Sequence, residues 1–160
     1  MARRDRRDRG LEQWVKREIK RVRSAFERFW RRETSVHPYL AAVYAMAREL
    51  DDTDKAGVIA LLQDYDGVKR NRGVVRAIID VTSAPLEDGG SAPKWPTKSK
   101  WRRALLCLLQ DEVDPKEAEA LLREETINSL ADNFAKARRA AKTRAQRDAK
   151  RLATKRARTR

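Results

Sequence analysis

The sequence predicts an all-α fold, a single compact helical bundle of five or six helices with a basic N-terminal arm and a long basic C-terminal helical extension. Three observations predict it. Apolar residues recur at spacings of three and four along most of the chain, which is the period of an amphipathic helix. Proline, glycine and serine gather in only one long stretch, residues 82–98, so little of the chain reads as loop. Charge is unevenly spread: the net charge of +14 resolves into +7 for residues 1–35, −4 for 36–134 and +11 for 135–160. A mildly acidic body therefore carries basic ends. At 160 residues one domain is the natural expectation, here 11–134, flanked by an arm at 1–10 and an extension at 135–160.

Residues 1–10 are a charged run closed by Gly10, expected to be frayed and solvated. Residues 11–32 read as the first long helix, with Leu11, Trp14, Val15, Ile19, Val22, Phe26, Phe29 and Trp30 on one stripe. Those aromatics are expected in the core. Lys16, Arg17, Lys20, Arg21, Arg23, Arg28, Arg31 and Arg32 cover much of the remaining surface and form a second basic stripe. Pro38 suits the first turn of the next helix, 38–50, whose nearly unbroken apolar composition places it at the centre of the bundle. His37, the one histidine, reads as a cap or loop residue. Asp51, Asp52 and Asp54 precede a short helix at 54–64 and are better explained as cap and first-turn acids than as metal ligands.

GVKRNRG at 67–73 is a turn between glycines, and a helix over 71–81 follows. The glycine- and proline-rich segment 82–98 is a loop within one domain, because neither half of the body is large enough to fold alone. A helix over 99–112 has Trp101, Ala104, Leu105, Leu108 and Leu109 inward, and Cys107 among leucines reads as a buried thiol. Asp114–Pro115 then opens the last helix of the domain, with Glu117 and Glu119 in its first turns. From Phe134 onward the apolar stripe ends.

The extension carries the chief functional signal. Residues 135–160 hold 12 Lys or Arg and one acid, Asp148. Alanines at 137, 141, 145, 149, 153 and 157 fill much of the rest. Their four-residue spacing drifts about 40° per step around a straight helix, so they make no flat dimer seam. A charge density this high repels itself unless an anion covers it. Arg138, Arg139, Lys142, Arg144, Arg147, Lys150 and Arg151 are the expected phosphate contacts. Two further clusters sit where helices begin. Lys69, Arg70, Arg72 and Arg76 crowd the start of one helix, and Lys98, Lys100, Arg102 and Arg103 open another, while acids (Asp80; Asp111 and Glu112) close both. That order opposes the helix macrodipole and favours a bound anion. Trp95, inside the second cluster, either stacks on a base or covers Trp101.

The expected function is nucleic-acid binding, to DNA or RNA, dominated by phosphate contacts with little sequence specificity. The alternative is a protein-interaction or assembly factor whose arms dock an acidic partner. Residues 54–80 have the charge layout of a loose helix-turn-helix-like unit, whereas the acidic start of the helix after Asp114 argues against one at 103–125. Enzyme signatures are missing: the sequence has no Gly-rich phosphate loop, no Cys/His metal spacing and no nucleophile–base set around His37, so neither catalysis nor a cofactor is expected. No apolar run approaches 18 residues and the first arginines lead into no apolar leader, so the expected location is the cytoplasm and no membrane role is foreseen.

Overall fold

The computed structural model describes residues 2–50, 52–64, 73–87 and 91–158, with side chains described for 10–50, 54–64, 73–87 and 91–150. Among the described residues there are seven helices and no strand: α1 (Ala2–Trp30), α2 (His37–Arg48), α3 (Asp52–Gln63), α4 (Val74–Thr82), α5 (Trp95–Gln110), α6 (Ala118–Glu124) and α7 (Ile127–Arg158).

The apolar helix α2 sits at the centre, as its composition implies. Tyr39, Leu40, Val43, Tyr44, Met46 and Ala47 are buried, and α1, α4, α5 and α6 pack around it. Burying each of the larger side chains contributes roughly 1.5–3 kcal/mol before entropy is counted. An aromatic cluster ties three helices together. Phe26 of α1 meets Tyr39 of α2 edge-on at 5.2 Å, Tyr39 meets Trp101 of α5 at 5.7 Å, and Phe29 meets Trp101 at 6.0 Å. Of the α1 aromatics expected in the core, Phe26 is buried, while Trp14, Phe29 and Trp30 are half-buried against it. α3 lies against α1 and α4, and Gly57 permits the closest approach, since a Cβ there would come within 2.9 Å of the Leu11 methyl.

Polar groups inside the body are used to close helix ends. Arg23 of α1 reaches across to the C-terminus of α4 and donates to the carbonyls of Thr82, Ala84 and Pro85 at 3.2, 2.6 and 2.9 Å. α4 has no basic residue in its own last turn, so a neighbouring helix supplies the cation its dipole favours. The Thr82 hydroxyl donates back to the Ile78 carbonyl at 2.7 Å, which leaves its oxygen to accept from the buried Tyr39 hydroxyl at 3.0 Å. Tyr44 donates to the carbonyls of Leu108 and Val113 at 3.2 and 2.6 Å, closing the end of α5.

Several boundaries differ from those expected, each for a local reason. The backbone of α1 continues through Gly10 to Ala2, where a separate frayed run was expected; one interior glycine costs a helix only about 1 kcal/mol. α5 begins at Trp95, four residues earlier than read. Pro96 fits its first turn, and the Lys94 carbonyl accepts from the amides of Thr97 and Lys98. The helix expected to run from Asp114 is preceded by a turn in which the Asp114 carboxylate accepts from the Lys116 amide at 2.8 Å. It then breaks at Thr126, which is why seven helices stand where five or six were expected. Thr126 takes a left-handed φ of 62° and its hydroxyl accepts from the Ser129 amide at 3.2 Å, ending α6 and capping α7 with one residue. The turn of the helix-turn-helix-like reading, 65–72, lies outside the described residues.

Candidate nucleic-acid interface

α7 is one rod of 32 residues, about 48 Å long at 1.5 Å per residue. Its first turns are anchored: Leu130 and Ala131 are buried, and Ile127 and Phe134 pack on the core. Its principal neighbour is α5, with a smaller contact to α6. The two long helices run antiparallel, because Leu130 lies beside Cys107 and Leu108 while Arg138, Arg139 and Lys142 lie beside Arg103. Every side chain from Lys136 to Lys150 is exposed. The apolar stripe ends at Phe134, so the helix has nothing more to bury and simply continues on alanine and arginine propensity.

This antiparallel packing brings two separate sequence clusters together. Arg103 of α5 and Arg138, Arg139 and Lys142 of α7 line one groove of about 320 Å³, floored by Phe134 and Ala135. Arg138, Arg139, Lys142, Arg144 and Arg147 make no ion pair with a carboxylate of the described residues. The Nε of Arg103 is buried and has no hydrogen-bond acceptor. A buried donor left without a partner costs about 1–3 kcal/mol, more when the group is charged. The groove is therefore cationic, lined in part by Phe134, and Arg103 beside it carries a buried donor that nothing in the described chain satisfies.

The start of α5 is different. Lys98 points inward to Asp80 of α4 at 3.7 Å, and Arg76 holds the other oxygen of the same carboxylate at 3.3 Å. The side chains of Arg76, Lys98 and Asp80 are 15%, 13% and 12% exposed. Burial holds the Lys98 ammonium below its usual pKa, with Asp80 pulling the other way. The charge order that looked inverted along α4 is thus compensated within the body: Asp80 near the helix end is held by two cations, and the end itself by Arg23. Arg76 also places its guanidinium 3.5 Å from the centre of the Trp95 ring, so one face of this half-exposed indole is covered by a cation. Lys100 is exposed and Arg102 half-buried. Lys69, Arg70 and Arg72 lie outside the described residues; Arg151 belongs to α7, with a side chain that is not described.

Two features of this region were not read from the sequence. One is the double use of Arg76, for which the i,i+4 spacing to Asp80 was the available signal. The other is Phe134 as groove floor, which no local pattern reveals. A second basic surface runs along α1, where Arg17, Lys20, Arg21 and Arg28 are exposed; there Arg17 and Arg21 flank the buried Glu18 at 3.6 and 2.7 Å. His37 at the start of α2 contacts the Ser35 hydroxyl at 3.1 Å, and burial, then the charge of Arg123, lowers its pKa. Among the described residues no helix is long and apolar enough to cross a membrane. Comparison with protein-family models, with curated proteins and with solved structures gave no match to this chain.

Proposed function

We propose that this protein binds nucleic acid through its phosphate backbone, with α7 as the principal contact and with little preference for sequence. The observation that supports the reading is the stretch of α7 from Arg138 to Arg147, where Arg138, Arg139, Lys142, Arg144 and Arg147 make no ion pair among the described residues. Exposed arginines and lysines run along a helix whose only acid beyond Phe134 is Asp148, on a rod anchored to the body at one end. In the free molecule these charges repel. Against a polyanion each displaces condensed counterions, which makes association favourable and strongly dependent on salt. The role is one of binding and not of catalysis. Arg138, Arg139, Lys142, Arg144, Arg147, Lys150 and Arg151 form the main track, extended towards the body by Arg103, Lys100 and Arg102. Lys69, Arg70 and Arg72, which precede α4 in the sequence, belong to the same proposal as contacts. Lys98 contributes field at that end while its ammonium is held by Asp80.

The test is fluorescence anisotropy of the full chain with labelled duplex DNA, single-stranded DNA and structured RNA, over roughly 50–200 mM salt. Binding to at least one, with log affinity falling linearly with log salt, is the expected result, and the rank order assigns the class. Failure to bind any of the three at the lowest salt overturns the reading. Capture of one acidic protein by a preparation free of nucleic acid would instead place the same arm on a protein partner.

A further inference from the structure

We infer that the groove between α5 and α7 is a seat for a single phosphate group, anchored by Arg103; the inference rests on the polynucleotide reading and names its fixed point of contact. The remaining cations of α7 lie on an open helix, where solvent screens them and their side chains reorient freely. The groove is a different environment. Four cationic side chains from two helices converge on it, and Phe134 and Ala135 form an apolar floor. The Nε–H of Arg103 is shut away from water with no acceptor in the described chain. A guanidinium presents its donors as a planar fork that matches two oxygens of a phosphate. A small turn of the Arg103 side chain would bring its Nε–H to a phosphate oxygen in the groove, and Arg138, Arg139 and Lys142 would neutralise the phosphate charge from the α7 side. The apolar floor lowers the local dielectric and strengthens each of those contacts. A phosphodiester within a strand and a free or terminal phosphate share this chemistry, so the source is set by experiment.

The measurement is the arginine Nε–Hε region of the proton–nitrogen spectrum of the labelled full chain, with the Arg103 signal assigned by its loss in Arg103→Lys. Three probes are added at constant ionic strength: inorganic phosphate, a short single-stranded oligonucleotide without a terminal phosphate, and the same oligonucleotide carrying one at its 5′ end. A shift of the Arg103 signal is expected. A response to the unphosphorylated oligonucleotide assigns the seat to the strand's own phosphodiesters. A response to inorganic phosphate and the 5′-phosphorylated strand alone assigns it to a phosphomonoester. Arg103→Gln should weaken the responding probe about tenfold or more. Lys116→Gln, an exposed cation before α6 with no place in the binding track, should leave inorganic phosphate affinity unchanged. If the oligonucleotides bind but the Arg103 signal stays still with every probe, the seat is wrong and the polynucleotide reading survives. If nothing binds, both fall. Arg103→Lys, which keeps the charge and the aliphatic stem, guards against a mere folding defect. It should bind more weakly than the parent while melting at the same temperature, and equal affinity would overturn the role of the guanidinium.

Discussion

The two ends of the α5 neighbourhood carry basic clusters that look alike as strings of letters and behave differently in space. At the start of α5, Lys98 and Arg76 share Asp80, and Arg76 covers Trp95. On the α7 side, Arg103, Arg138, Arg139 and Lys142 share a groove with no carboxylate among its lining residues. The first cluster is a piece of internal wiring. The second is a surface whose charge the described body does not answer. A run of Lys and Arg therefore signals an external anion only where the fold brings no acid to it, and one aspartate on a neighbouring helix is enough to change the meaning of a lysine.

The sharpest way to break this comparison is to neutralise the arm. Changing Arg138, Arg139, Lys142, Arg144 and Arg147 together to Gln should cut polynucleotide affinity by at least about a hundredfold at moderate salt, and should lower the duplex salt slope by about four. Thermal stability should hold or rise, since all five side chains are exposed and mutually repelling. An unchanged salt slope would sink the assignment of α7.

Asp80→Asn probes the other cluster. Removing the one carboxylate from two half-buried cations should destabilise the fold by about 3 kcal/mol, read as a lower midpoint in urea. Affinity for nucleic acid should stay within a factor of two or so at salt where the parent is saturable, because the Asp80 set lies inside the body. A variant that folds as well as the parent would show that Arg76 and Lys98 are solvated after all.

Thr126→Asn tests the joint that carries α7. Threonine is β-branched and strained at φ 62°, whereas asparagine tolerates that conformation and caps equally well. Stability should rise by about 1 kcal/mol, seen as a melting temperature higher by a few degrees. Thr126→Ala, which keeps the strain and loses the cap, should move it the other way.

The smallest effect concerns His37. Its pKa is lowered in the folded protein, by burial first and by Arg123 next. The folded state thus prefers the neutral ring, and the unfolded chain takes up the proton first as pH falls. The stability this preference contributes is full above the ordinary histidine range, around pH 6.5, and is lost as pH drops through the folded value. His37→Gln should flatten the pH dependence of the midpoint in that window, and an identical profile in parent and variant would remove His37 as its source.

Much of the fold was legible because helices announce themselves by period. The stripe of α1 and the apolar α2 placed Phe26 and Tyr39 in the core and Phe29 against it before any contact was seen, and the end of apolar residues at Phe134 marked where the side chains of α7 become exposed. The break at Thr126 was less visible. No glycine or proline marks it, and its one trace is the five-residue gap between Leu122 and Ile127 in an otherwise three-and-four pattern. The α5 start was misread for the opposite reason, since prolines at 93 and 96 suggested loop when Pro96 in fact opens the helix.

Local sequence determined the helices, the central place of α2 and the accumulation of charge after residue 135, because propensity, apolar spacing and net charge are properties of neighbours along the chain. Tertiary structure alone decided which cations stay available. Asp80 reaches Lys98 from a different helix, Arg23 reaches the end of α4 across some sixty residues, and Arg103 meets Arg138 only through the antiparallel packing of α5 and α7. Electrostatic compensation is set by distances of a few ångström in space, and those distances do not exist until the bundle has closed.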